Sequence, residues 1–325
     1  MKNAKEILVA ALVLAVGSAH GQEDAAAQVG LMVEKGIESL EWGLLLEAEG
    51  AYSKTGDTSA SDIVLATVEF VADAAVNDWL SGHVGLLWEE DSTENNILDE
   101  GFITMGGGEA FAVFAQAGRF YLPVGNFETA FISDPLTLEL AEINQSSVMV
   151  GYDSAWISLA AGVFKGNDEE AVENVYAAAD FFISERVRCG VYFLSDLMET
   201  GSQSGLGITE KNAGAGAFAN LYLGAFMVNA EFVSALEDDG LAGTPMAWNF
   251  EGSMNFAGAW AAGLKVEGSD DLYSADGRYH EYGFGGVVSY GFQEHAAIGL
   301  EYMRLLGDSG EDDADLVTLQ LAFEL

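Results

Sequence analysis

The chain has 325 residues, of which 52 are acidic and only 12 are basic, so its formal net charge is −40 at pH 7. This charge argues against nucleic acid and anionic membrane surfaces as partners. Half of the residues are nevertheless hydrophobic, whereas acidic disordered chains are poor in apolar residues. The acidic side chains are therefore expected in loops and on one face of strands.

The N-terminal region is predicted to direct export. A basic start precedes the apolar stretch Ile7–Val16, which is shorter than the roughly 20 residues that a membrane-spanning helix needs. Small residues at Ala19 and Gly21 suit cleavage by a signal peptidase. We therefore interpret residues 1–21 as a signal peptide, with a short N-terminal anchor helix as the alternative. Residues 22–36 would form a short periplasmic segment.

Strict two-residue alternation of apolar and polar residues recurs along the rest of the chain and indicates strands with one apolar face. The apolar face of the first and last predicted strands consists of Leu40, Trp42, Leu44, Leu46 and Ala48, and of Val317, Leu319, Leu321, Phe323 and Leu325. Lipid on one face and water on the other produce this pattern. We therefore predict an all-β fold, a transmembrane antiparallel up-and-down β-barrel over residues 37–325.

The connections between the predicted strands alternate in length. Long acidic connections are predicted at 53–60, 91–97, 122–146, 166–172, 197–212, 237–246, 268–277 and 307–314. Short turns are predicted at 77–78, 106–110, 153–155, 184–186, about Asn220, 257–258 and 291–293. Eight long and seven short connections correspond to sixteen strands with both ends on one side, within a range of 14 to 18. A soluble β-sandwich is the alternative, although it gives no reason for loop length to alternate.

One connection, 122–146 between the fifth and sixth strands, differs from the others. It holds two of the three prolines, Pro123 and Pro135, and it carries apolar residues such as Phe131 and Leu138 that do not alternate. Loops of this length are usually functional. We expect the loop to fold into the barrel and narrow it; a lid over the rim and an additional hairpin are the alternatives.

Several stretches in and around this loop carry a resemblance to a known family. They are 118–129 (GRFYLPVGNFET), 132–140 (ISDPLTLEL), 61–69, 77–79, 87–91 and 163–167. Together they resemble the outer-membrane siderophore porin family typified by the legiobactin receptor. The resemblance implies a barrel that takes up ferric siderophore passively, without the plug domain of larger energised receptors.

The candidate site lies at the start of the long loop, where Arg119 is one of few basic residues. If Phe114 and Phe120 face lipid, Arg119 and Tyr121 face the lumen. Arg119 could tether the loop through one of its carboxylates, or it could contact an anionic ligand in a bidentate geometry. The predicted constriction and ligand residues are Arg119, Tyr121, Glu128, Asp134, Glu139 and Glu142.

The sequence therefore predicts an outer-membrane pore and no enzyme, since no nucleophile elbow or phosphate loop is present. No metal or cofactor site is expected. A general cation-favouring porin and a non-conducting structural or adhesive barrel remain as alternatives to siderophore uptake. The expected partners are ferric siderophore or small solutes, outer-membrane lipid, lipopolysaccharide contacted through divalent cations, and further copies of the chain in a homotrimer.

Overall fold

The computed structural model describes residues 37–90, 96–108, 111–166, 172–200, 203, 211–238, 243–274, 277–307 and 312–325. The predicted signal peptide and the predicted periplasmic segment lie outside these residues.

Over the described ranges the chain forms one closed barrel of sixteen antiparallel strands, as predicted. The barrel strands are β1 (Ser39–Thr55), β2 (Thr58–Asn77), β3 (Leu80–Trp88), β4 (Leu98–Gly106), β5 (Val113–Tyr121), β6 (Asn144–Asp153), β7 (Ile157–Lys165), β8 (Val172–Ser184), β9 (Val187–Leu194), β10 (Gly214–Leu223), β11 (Phe226–Ala235), β12 (Met246–Phe256), β13 (Trp260–Asp270), β16 (Tyr282–Gln293), β17 (Ala296–Leu306) and β18 (Ala314–Glu324). A separate small hairpin pairs β14 (Tyr273–Ser274) with β15 (Gly277–Arg278). The α-helix α1 (Leu136–Ala141) lies between β5 and β6, and a 3-10 turn (Leu197–Glu199) follows β9.

The first and last strands close the barrel with their predicted apolar faces in register. Leu46 lies opposite Phe323 on β18 and opposite Val68 on β2. Farther along β18, Leu319 and Leu321 are about half exposed, at 46% and 50%. Because side chains alternate across a strand, these residues form a continuous apolar outer surface, which suits a bilayer.

None of the helices in the described part of the chain is long and apolar enough to cross a membrane.

Two predicted connections are wrong. The first, the long connection predicted at 53–60, is a two-residue turn at Gly56 and Asp57. The strands β1 and β2 are 17 and 20 residues long, and they stay paired up to this turn. Gly56 has φ 57°, which a tight turn requires and glycine adopts without strain. The turn expected near Asn220 lies instead between Leu223 and Phe226. Asn220 is a buried residue of β10, and its amide bonds Asn229 on β11, so the strand continues past it.

The largest apolar core lies inside the barrel, because the long loop and the turn after β9 enter it. Leu136, Leu140 and Ala141 of α1 are at most 3% exposed, and they belong to the same cluster as Leu197 of the turn. The opposing wall of this cluster includes Val233 on β11. The interior beside β8–β13 is thus largely filled.

A charge should destabilise the barrel much more at an outward position of a strand than at the neighbouring inward position. Leu319→Arg, at the centre of β18, is expected to destabilise the inserted barrel by about 2–4 kcal/mol, because it places a charge in lipid. Thr318→Arg is the matched control, since its side chain alternates to the lumen. Urea-dependent folding into vesicles measures both free energies. Equal costs at the two positions would contradict the assigned faces.

Candidate pore constriction

The loop between β5 and β6, residues 122–143, folds into the barrel as predicted and reaches wall strands far away in the sequence. Leu122, Val124 and Phe131 are buried. The loop backbone bonds side chains on β11, β12, β13 and β17. The loop therefore lies across the lumen against the wall that faces its point of entry.

Two glutamates on neighbouring strands bind the first half of the loop. The carboxylate of Glu231 on β11 accepts the backbone N–H groups of Asn126 and Phe127 at 3.1 and 3.0 Å. The carboxylate of Glu251 on β12 accepts the backbone N–H of Ala130 and the hydroxyl of Thr129, both at 2.7 Å. Hydrogen bonds to an ionised acceptor are stronger than neutral ones.

Two more glutamates bind the second half. Glu301 on β17 accepts the backbone N–H of Ile132 at 2.6 Å and that of Ser133 at 3.1 Å through the same oxygen. Glu267 on β13 accepts the N–H of Leu136 at 3.2 Å, at the start of α1. We call Glu231, Glu251, Glu267 and Glu301 the anchor glutamates; each is at most 8% exposed.

A buried lysine lies among the anchor glutamates. Lys265 on β13 is 1% exposed, and its Nζ donates to the carbonyl and the hydroxyl oxygen of Ser133 at 2.9 and 3.2 Å. Its Nζ is also 3.9 Å from Glu267 and 4.7 Å from the ring centroid of Phe131. A buried charge is tolerated when it is paired and hydrogen-bonded, so Lys265 both bonds the loop and offsets nearby negative charge.

Glu128, a predicted site residue, lies on the loop and is held by the wall. Its carboxylate accepts from the amide of Asn220 at 3.1 Å and from the hydroxyl of Tyr222 at 3.2 Å. Its backbone carbonyl accepts from the amide of Asn229 at 2.9 Å. In this arrangement Glu128 fixes the loop against β10 and β11.

The premise used to orient Arg119 is wrong, because Phe120 faces the interior. Phe120 is 2% exposed and packs edge-on against Phe102, with ring centroids 5.7 Å apart. Arg119 and Tyr121 therefore belong to the outward face of β5. Arg119 Nε donates to the carbonyl oxygen of Asp99 at 3.1 Å, and Tyr121 OH donates to the Asp99 carboxylate at 3.4 Å. These hydrogen bonds join both residues to Asp99 of β4 and not to the loop carboxylates, although the charge of Glu142 still acts on Tyr121.

The other three predicted residues do lie together on the loop. Asp134 and Glu142 flank α1, and the carboxylate of Glu139 within it accepts from Tyr279 OH at 2.7 Å. Removal from bulk water, followed by the nearby Glu139 charge, raises the pKa of Asp134. Desolvation and then the charges of Asp134 and Asp99 raise the pKa of Glu142 to about 7.

Across the lumen from this part of the loop, the wall is also acidic. Glu49 on β1, Glu69 on β2 and Glu100 on β4 point inward; we call them the acidic wall. Glu49 is one of the charges that act on Asp134, and Glu100 is one of those that act on Glu142. Carboxylates of the wall and of the loop therefore face one another inside the barrel.

The anchor glutamates and Lys265 were missed by sequence reasoning, although a signal was present. Glu231 and Glu251 are the only charged residues of the strands β11 and β12, and Lys265 and Glu267 share one face of β13. In a barrel such inward charges need partners. The long loop supplies them.

Proteins with a similar sequence align with only part of this chain. No protein-family model matches it. A UPF0422 protein of Legionella pneumophila (strain Lens) is 29% identical over 101 residues, 29% of this chain and 19% of that protein. A UPF0422 protein of Coxiella burnetii is 21% identical over 217 residues, 59% of this chain and 46% of that protein. The chain thus aligns with less than half the length of these relatives.

Solved structures that align with this chain include porins and outer-membrane channels. OmpF of Salmonella typhi, solved with daunomycin, aligns with TM-score 0.65 and 13% identity over 89% of this chain and 99% of that one. An anion-selective porin from Comamonas acidovorans aligns with TM-score 0.65 and 9% identity, covering 88% and 99%. OmpT of Vibrio cholerae in its trimer form aligns with TM-score 0.59 and 14% identity, covering 88% and 99%. The barrel has the porin-like channel fold of the bacterial outer membrane.

Proposed function

We propose that the chain is a passive diffusion channel that favours cations. The observation that carries this proposal is that carboxylates face one another inside the barrel: Asp134 and Glu142 on the loop, and the acidic wall opposite. A ring of acidic side chains attracts cations and repels anions at close range. Among the described basic residues, Arg188 pairs with Asp180, Lys265 lies 3.9 Å from Glu267, and Lys211 lies 3.6 Å from Glu173, so they leave little positive charge to offset this effect.

Ferric siderophore uptake is the second candidate, and the family resemblance supports it. The resembling stretches 118–129 and 132–140 include the residues that form the constriction. In an acidic passage the cargo would be a neutral or cationic complex, because an anionic one would be repelled. Contacts with lipopolysaccharide through divalent cations and assembly into a homotrimer belong to the same proposal.

Reversal potential in a KCl gradient across a planar bilayer tests the main proposal. The refolded mature protein should prefer K⁺ over Cl⁻, and the preference should weaken as added salt screens the carboxylates. A preference for Cl⁻ would refute the proposal. Ferric siderophore added to one side tests the second candidate: block of the current supports a siderophore pore, and unaltered current favours a general porin.

Cation preference is expected to rise with pH between about 6 and 8, because the raised pKa of Glu142, about 7, makes it ionise in this window. The stability of the docked loop changes in the opposite direction and falls as pH rises. Since the pKa is raised relative to the unfolded chain, the docked loop is most stable below the ordinary pKa of 4.5 and loses stability as pH rises through about 7. Reversal potentials measured across this range check the first effect. Glu142→Gln should flatten the profile, and an unchanged profile would assign the titration elsewhere.

A further inference from the structure

A pocket opens at the end of the barrel that carries the short turns, which is periplasmic in porin-type barrels. It has a volume of about 410 Å³, which is within the size range of sites for small molecules. Its lining consists of Ala155, Phe182, Ser184, Glu185, Arg188 and Tyr222. We call it the periplasmic pocket. It shares no lining residue with the constriction loop or with the acidic wall, so it is a separate feature of the lumen.

The guanidinium of Arg188 on β9 is the one basic group of this lining. Its Nη1 donates to the side-chain oxygen of Asn126 on the loop at 3.0 Å, and its Nη2 donates to the carboxylate of Asp180 at 2.5 Å. The guanidinium carbon lies 5.7 Å from the ring centroid of Phe182 and 5.1 Å from that of Phe218. About a third of the side chain, 32%, is still exposed. Each terminal nitrogen carries two N–H groups, so the positioned guanidinium retains donors for a carboxylate.

A carboxylate of the constriction loop lies beside the same pocket. Glu128 is exposed, and its Oε2 accepts both from the hydroxyl of Tyr222, a lining residue, and from the amide of Asn220. Its Oε1 accepts no hydrogen bond from the residues that the structure describes. The charges of Glu128 and Arg188 both act on Tyr222. A negative and a positive group therefore face the same phenol side chain.

Asn220 connects these two charges and is incompletely bonded. It lies opposite Arg188 in the register of β9 and β10 and is 2% exposed. Its amide nitrogen donates to Glu128 and Asn229, whereas its side-chain oxygen and the Nε of Arg188 have no hydrogen-bond partner within the described ranges. Buried polar atoms are normally paired. The site thus holds an unused acceptor and an unused donor on opposing residues.

We propose that the periplasmic pocket binds a small zwitterion of the α-amino acid type. The ligand carboxylate accepts from the terminal nitrogens of Arg188, its ammonium group donates to Glu128 Oε1, and its side chain lies against Phe182 and Tyr222. An anionic ligand would face Glu128 and Glu185, and a cationic ligand would leave the donors of Arg188 unused, so a ligand with both charges fits best. The inference deepens the proposed function, on which it rests for entry of solute into the lumen, because it names a class of solute.

Equilibrium dialysis of the refolded mature protein in neutral detergent, with isotope-labelled phenylalanine as the probe, tests the site. Phenylalanine should bind saturably, at one site per chain. Phenylalanine amide lacks the carboxylate, and 3-phenylpropionate lacks the ammonium group. Each should compete about tenfold more weakly than unlabelled phenylalanine, because each loses one charge-assisted contact.

Two variants should separate the roles of the two charges. Arg188→Gln should weaken phenylalanine binding about tenfold and leave binding of phenylalanine amide nearly unchanged. Glu128→Gln should weaken phenylalanine binding by a similar factor and leave binding of 3-phenylpropionate nearly unchanged. The matched control is Arg186→Gln, which removes an exposed basic residue from the same end of the barrel that does not line the pocket. It should leave phenylalanine binding at the wild-type value.

Heat-modifiable gel mobility confirms that every variant folds. Arg188→Gln also removes a bond to the loop, whereas Glu128→Gln keeps an acceptor oxygen for Asn220 and Tyr222, so the second variant tests the pocket with the loop in place. Absence of saturable binding, equal binding of the three probes, or an equal loss in Arg186→Gln would overturn the proposal. Dialysis needs no ion current. Intact phenylalanine binding in a pore that prefers Cl⁻ would therefore refute the proposed function alone, and cation preference without phenylalanine binding would refute the pocket alone.

Discussion

Deletion of Phe127–Leu138 is expected to raise single-channel conductance at least about twofold, because conductance follows the narrowest open section of a pore. The deleted segment contains most of the backbone groups that the anchor glutamates bind. None of the sixteen barrel strands is cut, so the barrel should still assemble. Planar-bilayer recordings of the deletion and the parent protein measure the change.

The deletion should also strengthen cation preference. It removes the two carboxylates of Glu128 and Asp134 but exposes Glu231, Glu251 and Glu301, which are buried under the loop in the parent. A matched control is Leu138→Ala, which leaves the backbone bonds of the loop in place and should leave conductance near the parental value. If the deletion folds and conducts like the parent, the loop does not limit the pore.

Replacement of both Asp134 and Glu142 by lysine is expected to abolish or reverse cation preference. Above the Glu142 pKa of about 7, the change replaces two negative charges by two positive charges on the loop, opposite the acidic wall. At short range in a narrow pore these charges are weakly screened. The reversal potential should move toward zero or change sign.

Glu128→Gln is the control for the double lysine variant. Its carboxylate is bonded to Asn220 and Tyr222, on the other side of the loop, so its loss should affect selectivity much less. Should the double lysine variant keep the parental reversal potential, selectivity would be set by the outer loops and not by the constriction.

The barrel itself was predictable from local alternation. The apolar face of β1 and that of β18 are visible in the sequence and pair in register in the structure. Strand ends were less predictable, because the sequence does not show how far pairing continues beyond the bilayer. The polar residues around Gly56 looked like a loop, yet they extend β1 and β2 to a tight turn.

The sequence predicted that the loop folds into the barrel, but it did not predict which wall residues bind the loop. The prolines and apolar residues of 122–146 indicated a segment that leaves the sheet and packs inside. The anchor glutamates that receive it come from strands more than 100 positions away, as for Glu231 and Asn126, and local periodicity carries no information on such pairs. Phe120 misled the orientation of Arg119, because a phenylalanine suits a lipid face and an interior apolar core equally well.

The anchor glutamates bind the loop mainly through its backbone N–H groups. A peptide N–H is the same for every residue type except proline. These backbone bonds therefore survive a change of loop side chain, although Leu136 and Phe127 also pack in the apolar core, whereas they are lost with the glutamates on the wall. The architecture separates the part that holds the constriction in place from the part that a permeating solute meets. One barrel could then host constrictions of different character, and substitutions that retune permeation need not compromise assembly.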